Sequence, residues 1–282
     1  MPFEPEIVAA KFPERAERWR RISGYHSVRT IRHGALYATS YTVPAADVTV
    51  KGVRLAFFSD LHYTGTEKEQ RVVLAAAEIL EEFRPDYLLF GGDLAGHSNL
   101  LETSFFALER FQKFDCEKLA VPGNWESGKQ WIPEQFWRDR YRRYGFRYLC
   151  NEMFVDRQCA IFGLGDISGA GFPRHPSWPE TFGPRQRIIL THRADNAVAI
   201  DSWTRQEPLA PLVLCGHLHG GQIRLPGLGP VYRNISGYGA RFDYGMYGHT
   251  RGDRLIVTSG MGELSCPIRL FCRREIVLIE LQ

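Results

Sequence analysis

Seven side chains able to hold metal ions occur at five places along this chain, each just after an apolar run. Asp60 and His62 stand in S-D-L-H, Asp93 in G-G-D, Asn124 in P-G-N-W-E, His192 in T-H, and His217 and His219 in G-H-L-H. Carboxylates supply hard oxygen donors and imidazoles supply borderline nitrogen donors. An Asn carbonyl ligates without adding charge. This mixture suits Mn, Fe, Zn or Co better than an all-oxygen calcium site. Taken alone, an Asp-x-His is ordinarily a strand end and a loop, and Gly-Gly-Asp is a turn. Their joint occurrence, each at an expected strand end, is what points to two metals. Asp-x-His and His-x-His would each face two ligands one way on an extended segment, because side chains alternate along a strand. The glycines before Asp93, Asn124 and His217 allow the backbone to turn tightly beneath the ions.

Two divalent cations about 3.5–4 Å apart lower the pKa of a shared water towards neutrality and neutralise charge on phosphoryl oxygens. The chemistry expected of such a pair is metal-assisted hydrolysis.

The elements that must position these residues are legible as apolar runs. V-R-L-A-F-F-S-D (53–60) reads as a strand, and residues 67–84 as a helix with Val72, Val73, Ala76, Ile79, Leu80 and Phe83 on one face. D-Y-L-L-F-G-G-D (86–93) is a second strand, 100–114 a second helix, and K-L-A-V-P-G-N (118–124) a third strand. Strands alternating with helices imply a largely parallel sheet, whose ligands gather at the carboxyl ends of its strands. After about residue 146 the pattern turns β-rich, with short strands expected in F-R-Y-L-C, C-A-I-F-G-L-G-D, R-I-I-L-T-H, P-L-V-L-C-G-H and G-G-Q-I-R-L-P, then R-L-I-V-T-S and R-E-I-V-L-I-E-L. The expected fold is α/β, a two-sheet β-sandwich flanked by helices, over residues 51–282.

Residues 1–50 read as an irregular basic arm. Phe12, Ala16, Trp19 and Ile22 recur at helical spacing, with Arg15, Arg18, Arg20 and Arg21 around them. Such a helix would either dock on the protein's own core or lie on an anionic membrane. A net charge of +3 is too balanced to argue for nucleic acid. Six scattered cysteines form no C-x-x-C pair, which fits reduced core thiols in a cytoplasmic protein. Neither a transmembrane run nor a secretory leader is expected.

At these residues the chain resembles the calcineurin-like metallophosphoesterase superfamily, from about Val53 to Leu281. The motifs S-D-L-H, G-G-D, G-N-W-E, T-H and G-H-L-H carry the resemblance. The continuation G-G-Q-I (220–223), with P-I-R (267–269) and E-I-V-L-I-E-L (275–281), is similar to the branch of YkuE- and YaeI-type phosphoesterases, which also holds UDP-2,3-diacylglucosamine pyrophosphatases. The resemblance implies Asp60, His62 and His219 on a first metal, and Asn124, His192 and His217 on a second. Asp93 would bridge them, with Asp93, Asn124 and His217 closest to the chemistry.

One position departs from the family pattern. Where the family carries a His that helps protonate the leaving oxygen, this chain has Trp125. Tryptophan has no titratable proton to give. A basic alkoxide leaving group needs an acid, whereas a phosphate leaving group needs little help. Trp125 therefore tilts the expectation towards anhydrides or activated esters, with its ring stacking on a base, packing a lipid chain, or forming an idle rim. His97 and His175 are the other candidate acids, each reading more simply as a surface histidine. Three functions stay open: a pyrophosphatase or phosphodiesterase on a nucleotide-linked substrate, with or without a lipid; a broad phosphomonoesterase or cyclic-nucleotide phosphodiesterase; and a non-catalytic metal-binding relative.

Overall fold

The computed structural model describes residues 19–22, 29–129, 131–166, 168, 183–195, 211–231, 242–249, 254–264 and 267–282. In chain order, β1 (Trp19–Arg21), β2 (Arg29–His33), β3 (Leu36–Val43) and β4 (Arg54–Phe58) precede helix α1 (Glu67–Phe83). β5 (Tyr87–Phe90), α2 (Leu101–Phe105), β6 (Glu117–Ala120), the short α3 (Asn124–Ser127), α4 (Glu134–Arg143) and β7 (Arg147–Tyr148) follow. Then come β8 (Glu152–Val155), β9 (Cys159–Gly163), β10 (Gln186–Arg193), β11 (Leu212–Gly216), β12 (Arg224–Leu225) and β13 (Gly229–Pro230). β14 (Gly245–His249), β15 (Arg254–Val257) and β16 (Glu275–Leu281) complete the set.

Two seven-stranded sheets result, ordered β2-β3-β16-β4-β5-β6-β7 and β1-β14-β15-β11-β10-β9-β8, with β12 and β13 forming a separate pair. β4 to β7 run parallel to one another, as do β9, β10, β11 and β15. Antiparallel pairing closes three of the four edges, at β1, β2 and β8, while the β7 edge is parallel. The sheets pack face to face: Leu55, Phe57 and Leu89 from one share a buried cluster with Ile188, Leu212 and Leu214 from the other. The alternate residues Ala56, Phe58 and Phe90 face outward into a cluster with Val72, Ala76, Ile79, Phe105 and Tyr141 from the helices. On the other sheet Ile189, Val213 and Cys215 form a third cluster. Burial on both faces explains why these strands read as unbroken apolar runs rather than alternating ones.

Helix α1 starts in a capping box. Thr66 accepts from Glu69 N, and the Glu69 carboxylate accepts from Thr66 N (3.1 Å), satisfying two first-turn donors. It ends at Arg84, whose φ of 50° is left-handed. Its buried face contains the expected Val72, Val73, Ala76, Ile79 and Leu80. Each buried Val, Ile or Leu among them contributes roughly 1.5–3 kcal/mol.

Several expectations are corrected. Residues 29–43 are not irregular: β3 pairs along its length with the C-terminal β16, so this part of the arm is built into the sheet. Trp19 and Arg20 are extended, pairing with His249 and Gly248, so Trp19 belongs to no helical stripe. Phe12, Ala16, Arg15 and Arg18 lie outside the described residues. The helix expected over 100–114 is one α-helical turn, Leu101–Phe105, continued as a 3-10 helix to Phe111. G-G-Q-I-R-L-P is a 3-10 turn followed by only two strand residues. Cys116, Cys150, Cys159, Cys215 and Cys272 form no disulfide, and Cys266 lies outside the described residues. Among the described residues, no helix is long and apolar enough to cross a membrane.

Candidate metal centre

The ends of five parallel strands meet at one point. Asp60 and His62 follow β4, Asp93 follows β5, and Asn124 opens the turn after β6. From the facing sheet, His192 lies near the end of β10, and His217 and His219 follow β11. Asp60, His62 and His219 bring their ligand atoms within 4.8 Å of one another, and so do Asp93, His192 and His217. The two groups touch through Asp93, whose Oδ2 lies 3.3 Å from His192 Nε2 and 3.5 Å from His62 Nε2. His62 Nε2 and His219 Nε2 are 3.2 Å apart. His192 Nε2 is 2.9 Å from Asn124 Oδ1 and 3.0 Å from His217 Nδ1. His192 Nδ1 donates to the Gly91 carbonyl (2.8 Å), which leaves Nε2 as the ligating nitrogen.

The pairs Asp60/His62 and His217/His219 converge for a different reason than strand alternation. Asp60, His62, Asp93, His217 and His219 all have φ between 41° and 74°, the left-handed region that side chains with a Cβ disfavour. Five such residues at one site represent stored backbone strain of the kind that clusters where function dictates geometry. The backbone must also come very close to the carboxylates. A Cβ at Gly123 would run into Asp93, and one at Gly216 into Asp60, so only glycine fits at either position.

Groups behind the ligands hold them in place. The Glu126 carboxylate, 2% exposed, accepts from Asp93 N (3.0 Å), Leu94 N (2.8 Å) and Gly123 N (2.9 Å). Asp60 accepts from His217 N (2.9 Å), and Asp93 Oδ1 accepts from Trp125 N (2.8 Å). Arg269 donates to Ser259 O (2.8 Å) and Gly262 O (2.5 Å) behind His219. Arg193 donates to the buried Asp166 carboxylate (3.0 Å) and to Ser168 Oγ (2.7 Å), which sets its remaining nitrogen 3.3 Å from His217 Nε2.

The electrostatics are those of a cation site. Burial alone would raise Asp93, but His192, His62 and His217 hold it well below the carboxylate range. Burial alone would lower His192, but the Asp93 carboxylate outweighs it and pushes His192 up to about 10. A pocket that favours an imidazolium between carboxylates favours positive charge, and a divalent ion binding there displaces that proton. Burial, with cationic His192 and Arg193, drives His217 well down; burial, with His62 and Arg269, does the same to His219. Both are thus neutral imidazoles, the form that ligates. Burial pushes Asp60 and Glu126 up.

Trp125 stands at the rim. Its ring meets His62 edge-on with centroids 5.7 Å apart, and the Lys129 ammonium lies 4.6 Å over it while donating to Trp125 O (2.8 Å). Burial lowers the Lys129 pKa. His97 is exposed on its loop, and His175 lies outside the described residues. Sequence reasoning missed Glu126, Lys129, Arg193, Asp166 and Arg269. Glu126 carried a signal, as the acid three residues into the turn after Gly123, and Arg269 stood in the P-I-R motif without a role attached to it.

Five strand ends thus converge on two adjacent groups of side chains that could each hold a metal ion. Residues 53–221 match the calcineurin-like phosphoesterase family, and the chain belongs to it. It is a metal-dependent phosphoester hydrolase of the YkuE/YaeI-like branch. It is 30% identical to phosphodiesterase YaeI of Escherichia coli (strain K12), over 81% of this chain and 82% of that protein. It is 25% identical to the metallophosphoesterase YkuE of Bacillus subtilis (strain 168), over 92% of this chain and 90% of that one. A dimetal phosphatase from Danio rerio is similar in structure, with a TM-score of 0.45, 10% identity, and coverage of 74% of this chain and 88% of that one.

Proposed function

We propose that this chain hydrolyses a phosphodiester or phosphoanhydride of a small, nucleotide-linked substrate. Asp60, His62 and His219 would hold one divalent ion, Asn124, His192 and His217 would hold a second, and Asp93 would be shared between them. The observation that carries this reading is the position of Asp93 Oδ2, within 3.5 Å of a ligating nitrogen from each side. The donor set of carboxylate oxygens, neutral imidazoles and one amide carbonyl fits Mn, Fe or Zn. Such a pair of ions supplies Lewis-acid charge and an activated water.

The chain's own residues do the rest. Glu126 fixes the Asp93 and Gly123 backbones, so the bridging carboxylate is pre-positioned. The Arg193 guanidinium, held in a fork by Asp166 and Ser168, meets a non-bridging oxygen of the substrate on the His217 side. In an anhydride that oxygen belongs to the second phosphoryl group, which an alkyl phosphomonoester lacks. Trp125 provides an aromatic edge for a base or an acyl chain, and cannot donate a proton to the leaving group. These features favour a weakly basic leaving group, and a UDP-2,3-diacylglucosamine-like compound is one member of that class.

A substrate panel with Mn²⁺ tests the reading. Bis-p-nitrophenyl phosphate and a nucleoside diphosphate sugar should be cleaved well, and glycerol phosphate poorly. Equal rates on all three would favour the broad phosphomonoesterase. No turnover of any, with metal bound, would favour a non-catalytic relative.

A further inference from the structure

Trp125 is held at both ends of its backbone. Its N–H donates to Asp93 Oδ1 (2.8 Å), and its carbonyl accepts from Lys129 Nζ (2.8 Å). What remains free is rotation of the indole about its side-chain bonds. The same Lys129 ammonium lies 4.6 Å from the centre of that ring. One cation therefore ties the main chain of Trp125 to its own ring, and swinging the indole away would break the second contact. Local structure makes this possible. Ser127 N donates to Gly123 O (3.0 Å) and Gly128 N to Asn124 O (2.9 Å), so Trp125 and Lys129 lie one helical turn apart and their side chains meet.

The surroundings of Lys129 are unusual for a lysine. It is only 7% exposed, yet among the described residues its ammonium forms no ion pair. A buried lysine ordinarily sits against a carboxylate. Here the Trp125 carbonyl and the indole face take that place, and the attraction of a cation to a ring face is strongest where water is excluded. Trp125 itself is only part-buried. Lys129 covers one side of its ring, and His62 meets it edge-on at 76°. The uncovered side borders the His62 half of the metal centre.

We propose that Lys129 is a positioning residue, which locks the Trp125 indole beside His62 so that its uncovered side is a preformed contact for a planar ring of the substrate, a nucleobase or an aryl group. The proposal rests on the phosphodiester or phosphoanhydride reading above. An indole ordered in advance leaves no rotamer to freeze when substrate arrives, which favours binding and leaves the chemical step unchanged.

Lys129→Met keeps a long side chain and removes the charge, and Lys129→Arg keeps a cation. In the full-length chain labelled with 5-fluorotryptophan, the Trp125 resonance is identified among the six tryptophans by its loss in W125F. It should be single in wild type, shift or broaden in K129M with an unchanged Tm, and return towards wild type in K129R. This measurement reads no hydrolysis, so it decides the locking role whether or not the proposed activity holds. K129M should also raise KM for bis-p-nitrophenyl phosphate about two- to tenfold, the size of one aromatic contact, with kcat unchanged. In a W125A background K129M should add nothing further. A Trp125 resonance unchanged in K129M overturns the proposal. An equal rise in KM in the W125A background also overturns it, because Lys129 would then contact the substrate directly. So does a fall in kcat with KM unchanged.

Discussion

Replacing Glu126 with Gln tests whether the ligands are held by the groups behind them. The Glu126 carboxylate takes three buried backbone donors, with one oxygen shared between Asp93 N and Gly123 N and the other on Leu94 N. A Gln keeping its carbonyl oxygen on the shared pair turns its NH₂ towards Leu94 N–H. That leaves one buried donor unpaired, which costs about 1–3 kcal/mol. The two remaining bonds weaken from charge-assisted to neutral, adding about 1 kcal/mol. Against this, Gln avoids burying a carboxylate beside Asp93, the burial that already pushes Glu126 up. The net expectation is about 1–3 kcal/mol, or a Tm roughly 2–5 °C lower for a chain of this size. Groups behind a metal ligand typically contribute about 10–100-fold in metal affinity or activity. Thermal melts and Mn²⁺ titration of E126Q should show both losses together. An unchanged Tm with unchanged Mn²⁺ affinity would refute the positioning role.

Three further outcomes follow from the same geometry. Trp125→His should raise rates on alkyl phosphomonoesters selectively, measured as kcat on glycerol phosphate against a diphosphate sugar; equal gains on both would remove the leaving-group argument. Arg193→Gln should raise KM for the diphosphate sugar about 10–100-fold, the size of one lost charge-assisted bond, while p-nitrophenyl phosphate changes little; a uniform fall in kcat would contradict it. His192 is raised from 6.5 to about 10, so its partnership with Asp93 stabilises the metal-free protein fully below about pH 6.5 and is lost as pH rises through 10. In EDTA, melts should therefore fall across that range more steeply for wild type than for H192N, and Mn²⁺ should flatten the wild-type slope; parallel slopes in EDTA would contradict the assignment.

The strands carrying the site were legible because burial on both faces wrote them as unbroken apolar runs, each ending in a polar residue. The seven ligand-type residues could be read for the same reason. What pointed them inward could not. The left-handed backbones at Asp60, His62, Asp93, His217 and His219 arise where strand ends of two sheets packed face to face meet; Asp and His tolerate that region better than most residues, but their presence in a sequence does not announce it. Trp19 fails as a helical residue because its partner, His249, is remote in sequence, and periodicity sees only neighbours. β14 was invisible because G-M-Y-G-H interrupts its apolar residues with glycine. Glu126, Arg193 and Arg269 act through backbone groups or through each other's neighbours, so their spacing carried almost no trace of their roles.

Metal stoichiometry across an Asp93 substitution tests the central claim most directly. Native mass spectrometry of the wild-type chain during Mn²⁺ titration should show two ions bound, with hydrolysis of bis-p-nitrophenyl phosphate rising only as the second is taken up. Asp93→Ala removes the carboxylate oxygen that lies within 3.5 Å of both His62 and His192. That variant should lose activity and close to both ions at the same free Mn²⁺. Retention of two ions by Asp93→Ala, or full wild-type activity with a single ion bound, would contradict a two-metal centre bridged by Asp93.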